Sequence, residues 1–140
     1  MSTAPRTSSG PGRALVAVYG LFALAATARG VTQLVTRYAE APLAYVLSLV
    51  AGIVYVVATV TLARGTATAR RVALGAVALE LVGVLTVGTL SLLDPAAFPR
   101  ATVWSAYGSG YGFVPLVLPV LGLLWLRRTR PTRRASPDPR

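Results

Sequence analysis

The segment LAYVLSLVAGIVYVVATVTLA, Leu43–Ala63, decides the fold: it is 21 residues long and carries no charge. A helix needs roughly 20 consecutive apolar residues to cross the hydrocarbon core of a bilayer. Pro42 opens the segment in the first helical turn, where its missing N–H leaves no hydrogen bond unmade, and Arg64 with Gly65 closes it. The reading is a transmembrane helix.

The same measure applied outward finds three more spans. Val72–Leu93 is interrupted only by Glu80 and ended by Asp94, Pro95 and Pro99. Ala14–Ala28 is short, but it becomes long enough when Arg29 snorkels and Val31, Leu34 and Val35 continue the helix. Arg6 and Arg13, the apolar run and Ala26-Thr27-Ala28 also resemble a cleavable signal peptide. Gly30–Ala41 continues in helical register toward Pro42, so an intact N-terminal segment is the expectation. Tyr111–Leu126 contains Pro115, Pro119 and Gly122, which predicts a kinked span. The expected architecture is an all-α, four-helix transmembrane bundle with helices about 13–36, 43–63, 72–93 and 111–127, the fourth kinked by its prolines. A disordered stretch, 1–12, precedes it and a disordered basic tail, 129–140, follows. The connection Asp94–Gly110, with Phe98, Trp104 and Tyr107, is expected on the membrane surface, where amphipathic aromatics settle.

Composition agrees. Of 140 residues 54% are hydrophobic and 13% charged, with mean hydropathy +0.63, against about 25% charged in a soluble domain. All 14 basic residues are arginine, the four acids are Glu40, Glu80, Asp94 and Asp138, and Cys and His are absent. That excludes thiol nucleophiles, disulfides, zinc and iron–sulfur sites and the commonest general base. No phosphate loop, dinucleotide fingerprint or metal-ligand spacing occurs either, so no enzymatic role, no cofactor and no metal are expected.

The net charge of +10 points to anionic lipid rather than nucleic acid, because the arginines gather where apolar stretches end. The expected lipid contacts are Arg64, Arg70, Arg71, Arg127, Arg128 and Arg130. These residues, with Arg6, Arg13, Arg133, Arg134 and Arg140, fall on one side of four spans; only Arg29, Arg37 and Arg100 fall on the other. The positive-inside rule then puts both termini in the cytoplasm, in a bacterial cytoplasmic membrane. Choosing Arg over Lys is what GC-rich coding produces, but such coding does not dictate where the arginines lie.

Three polar constellations stand out. Glu80 lies nine residues beyond Arg71, on the order of 13 Å into the membrane at the helical rise. An acid at a helix centre costs roughly 2.5–3.5 kcal/mol on translocon scales, so it should face the bundle interior. Counting equally from the other helix ends brings Tyr55, Phe22 and Leu118 to its level. Ala44, Ser48 and Gly52 form a small-residue seam that Tyr55 and Thr59 continue, so the expected polar centre is Glu80, Tyr55, Ser48 and the backbone loosened by Pro119 and Pro115. Glu80 is then either a proton- or cation-coupling carboxyl or a neutral acid hydrogen-bonded to Tyr55 as interhelical glue.

Farther out, Arg29, Gln33 and Arg37 repeat on one helix face as an anion or headgroup site, or as snorkelling arginines with Arg37 paired to Glu40. Third, Tyr107–Phe113 superficially resembles a potassium filter. A threonine is missing, and Phe113 replaces the usual acid, so the expectation is a glycine-rich re-entry into the fourth span.

The segments Glu80-Leu-Val-Gly-Val-Leu and Gly110-Tyr-Gly-Phe-Val-Pro-Leu-Val-Leu-Pro resemble small four-helix integral membrane proteins of high-GC bacteria. The likeness covers about Ala14 to Arg128 and implies the four-span fold without any activity. The expected function is a non-enzymatic membrane component that binds lipid, a membrane-protein partner or a second copy of itself. The alternative is a small proton- or cation-coupled transporter or channel using Glu80.

Overall fold

The computed structural model describes residues 10–129, and within them every regular element is helical. The elements are α1 (Pro11–Arg37), α2 (Pro42–Arg64), α3 (Ala67–Leu93) and α4 (Val114–Arg128). Local chemistry sets the boundaries. Pro11 and Pro42 sit in the first turns of α1 and α2. Gly65 takes the left-handed conformation (φ 66°) that ends α2 and returns its N–H to the Thr61 carbonyl. Thr66 then caps α3, its hydroxyl accepting from the Ala69 N–H at 3.1 Å. That cap is why α3 starts at Ala67, ahead of the charged Arg70 and Arg71.

Three helical stretches are long and apolar enough to cross a membrane: Pro11–Glu40, Pro42–Arg64 and Ala67–Leu93. A fourth crossing is formed if Ser105–Tyr111 and Val114–Arg128, which meet at a 99° bend, count as one span. The chain is thus a helical, multi-pass membrane protein. Two boundaries differ from expectation. The 99° bend falls at Gly112 and Phe113, both left-handed (φ 63° and 60°), ahead of the prolines. Pro115 is tolerated in the first turn, and α4 runs on through Pro119. The second difference is at the N-terminal edge, where Pro11 and Gly12 belong to α1 rather than to a disordered tail.

Packing inverts the habit of soluble bundles. The outward residues are large, including Leu21, Leu24, Val35, Ile53, Leu79 and Val82, while the inward ones are often Ala or Gly. Burying Leu gains little when the alternative solvent is itself hydrocarbon, so helices associate where small residues let backbones approach. The α1–α2 pair shows this. A Cβ on Gly52 would stand 2.7 Å from Thr27 Oγ1 and 2.9 Å from the Thr27 amide nitrogen, and one on Gly30 would stand 3.0 Å from the Leu49 nitrogen.

The connection between α3 and α4 turns only partly inward, with residues 94–96 and 99–101, Ser109 and Gly110 exposed. Thr102, Val103 and Trp104 are buried, so the expected interfacial aromatic is instead a plug between helices. Two glycines on α3 make the room. A Cβ on Gly83 would stand 2.6 Å from Trp104 Cζ3, and one on Gly88 would stand 2.4 Å from Tyr107 Cδ1. Ala106, Tyr107 and Gly108 form a left-handed turn (φ 49°, 60° and 81°). Left-handed backbone costs roughly 1–2 kcal/mol per L-residue. Ser91 Oγ, accepting from the Ala106 N–H, and Thr89 Oγ1, 2.8 Å from the Tyr107 hydroxyl, hold the turn against α3.

Candidate functional site

Glu80 sits midway along the inward stripe of α3, between Ala76 and Val77 on one side and Val84 on the other, and it is wholly buried. Its hydrogen-bond partner is Tyr19 on α1. The Tyr19 hydroxyl donates to Glu80 Oε1 at 2.7 Å and lies 3.4 Å from the Leu118 carbonyl of α4. One phenol thereby touches three helices. Glu80 Oε2 is buried and has no hydrogen-bond partner.

Tyr55, the partner expected from depth, is bound otherwise: its hydroxyl accepts from Trp104 Nε1–H at 3.0 Å. Phe22 and Tyr55, two residues expected at one level, are in ring contact at 5.8 Å. What depth cannot supply is the direction in which a side chain leaves its helix. Phe22 is only partly buried, while Tyr19, about one turn nearer Arg13, is on the buried stripe Leu15, Tyr19, Ala23, Ala26. One signal was available: Tyr19 is the first hydroxyl-bearing residue of the apolar run that begins at Ala14.

Around this bond the aromatics form a continuous cluster. Tyr19 and Tyr55 rings lie 6.2 Å apart, Tyr55 and Trp104 6.5 Å, and Phe22 and Tyr111 5.9 Å. Edge-to-face contacts of this kind contribute about 0.5–1.5 kcal/mol each beyond burial. Ser48 is buried on the α2 seam and Pro119 on α4, but neither side chain hydrogen-bonds Glu80.

Toward the other end, Arg29, Gln33 and Arg37 do share a face, lining a groove of about 400 Å³ with Ala28, Thr32 and Thr36. Gln33 Oε1 is buried there without a partner. Arg29 donates to the Tyr111 hydroxyl, pinning the start of the re-entrant crossing to α1. Arg37 does not pair with Glu40. The α-helix stops at Arg37, a three-ten turn (Tyr38–Glu40) breaks the spacing, and Glu40 instead meets Arg100 at 3.9 Å and accepts from the Tyr45 hydroxyl at 3.3 Å. In the glycine-rich run the Gly108 and Ser109 carbonyls accept from the Phe113 and Gly112 N–H groups, closing the turn that leads into α4.

Arg13, Arg64, Arg71, Arg127 and Arg128 are exposed at the opposite end. Arg70 differs from them: it is half-buried and donates to Thr129 Oγ1 at 3.1 Å, tying the start of α3 to the end of α4. Arg130 lies outside the described residues. Among the described residues no group of His, Cys, Asp and Glu could hold a metal. No protein-family model, curated protein or solved structure matches this chain.

Proposed function

We propose that the chain is a non-enzymatic four-span component of the bacterial cytoplasmic membrane, both termini in the cytoplasm, that binds lipid or a membrane partner. One observation carries the reading. The acid at the centre of the bundle joins helices: Glu80 takes the Tyr19 hydroxyl at 2.7 Å, and no ion pair reaches it among the described residues. A relay needs a second ionisable group within reach, whereas a clamp needs only a donor and an acceptor.

The unpartnered Glu80 Oε2 favours a second reading, a proton or small-cation site in a transporter. Glu80→Gln separates the two. Glutamine keeps an oxygen for Tyr19 and cannot ionise. Under the clamp reading, the variant assembles and supports the cellular phenotype as wild type does. Under the transport reading, it folds but loses dye-reported proton or cation flux in proteoliposomes.

A further inference from the structure

Between α1 and α4 the bundle leaves a groove of about 550 Å³, open on one side and lined by apolar residues including Leu15, Val18, Val117, Leu121 and Leu124, with Arg128 at its mouth. We infer that this groove seats one acyl chain of an anionic phospholipid, whose phosphate rests against Arg128 and Arg13. The inference rests on the lipid-binding arm of the proposed function and gives it a place.

Charge is the first argument. Arg13 and Arg128 are exposed at the same end, beside Arg127 and Arg64. No described acid is near: Glu40 and Asp94 close the helices at the far end, and Glu80 is buried mid-bundle. The mouth also receives the N-terminal end of α1, whose first turn has no acid and whose N-cap, Gly10, has no side chain to satisfy it. The helix dipole favours an anion there.

Shape is the second argument. On α4 the lining runs from Arg128 to Val114, about 21 Å at the helical rise, which exceeds one leaflet of a roughly 30 Å core. A chain entering at the arginines can lie between both helices for about 10 Å, along residues 11–18 of α1, and follow α4 beyond. A partner helix fits poorly. Close helix packing in lipid uses Gly, Ala and Ser, as the α1–α2 seam does, whereas this groove is lined mainly by Leu and Val.

The test is retention of lipid by the full chain extracted in mild detergent, exchanged against phosphatidylglycerol or phosphatidylcholine of identical acyl composition and weighed intact by native mass spectrometry. Wild type should hold about one phosphatidylglycerol per chain and little phosphatidylcholine. Arg128→Gln should weaken retention about five-fold, the factor equivalent to about 1 kcal/mol per cation near a membrane surface. Leu121→Trp should fill the groove and abolish retention with charge unchanged, while Arg100→Gln, beside Glu40 at the far end and outside the lining, should match wild type. If phosphatidylglycerol is held equally by all four proteins, the groove assignment is wrong although lipid binding stands. If neither lipid is held, both the groove and the lipid arm of the function fail. A co-purified protein that blocks lipid retention refutes the assignment in favour of a partner.

Discussion

Tyr19→Phe is the substitution that probes the centre of the bundle most directly. Phenylalanine keeps the ring, and with it the 6.2 Å contact to Tyr55, so no cavity opens. What goes is the only hydrogen bond, among the described residues, to a carboxyl whose second oxygen has none. Cycles in membrane bundles average about 0.6 kcal/mol per interhelical bond with a maximum near 1.7, and an unsatisfied buried polar group costs about 1–3 kcal/mol. The expected loss is about 1–2 kcal/mol. Glu80→Met in the Tyr19→Phe background removes the stranded acceptor and should restore most of that loss, since replacing both partners by apolar groups of similar shape is nearly neutral. The assay is reversible unfolding in mixed detergent–SDS micelles, followed by fluorescence of the buried Trp104. The cycle should give Tyr19 and Glu80 a coupling of about 1 kcal/mol, and Tyr55 and Glu80 less than about 0.5. Equal or larger coupling for Tyr55 would refute the assigned geometry.

Other outcomes follow from close contacts and backbone strain. Gly52→Ala should cost about 1–3 kcal/mol in the same assay by forcing α1 from α2 at Thr27. Gly75→Ala, which meets nothing within 4 Å, should be neutral or stabilising by up to about 1 kcal/mol. Gly88→Ala should dislodge Tyr107 and raise acrylamide quenching of Trp104; unchanged quenching would argue against the plug. Ala106→Gly should stabilise by about 1 kcal/mol through relief of a φ of 49°. Because the chain has no cysteine, single cysteines report topology: an impermeant maleimide on intact cells should label Ala96→Cys and spare Thr68→Cys. The opposite pattern would overturn the orientation.

Which parts of this fold were legible follows from what lipid does to sequence signals. Span length and punctuation survive, so Leu43–Ala63 and Val72–Leu93 gave α2 and α3 to within a few residues. Helix azimuth does not survive, because polarity no longer separates inside from outside: on α1, Leu15 is buried and Leu21 and Leu24 are exposed with nothing in residue type to tell them apart. Size takes over as the code, and the Ala44, Ser48, Gly52 seam was readable for that reason. Tyr19 was missed because a depth count has no angular term. Trp104 was placed at the interface because indole prefers it, and the notch that draws it inward, Gly83 and Gly88, lies on a helix read only for its apolar length.

The same loss of azimuthal information gives Glu80 its structural meaning. An α3 whose every face is apolar could rotate in the bundle at little cost, since Leu74 or Leu79 turned inward forfeits no solvent preference. A carboxyl changes that: only one rotation brings it to a donor, and every other leaves it facing hydrocarbon at a cost of roughly 2.5–3.5 kcal/mol. Tyr19 does the same for α1, and because its hydroxyl also approaches the Leu118 carbonyl, α4 is set by the same point. Small-residue notches such as Gly52 and Gly83 fix where helices meet, and the Glu80–Tyr19 contact, beside Trp104–Tyr55, adds a polar reason to keep one rotation. A centre serving that purpose needs no second acid, no water path and no metal, and its residues would be sparse, buried and shared among helices, as Glu80 and Tyr19 are.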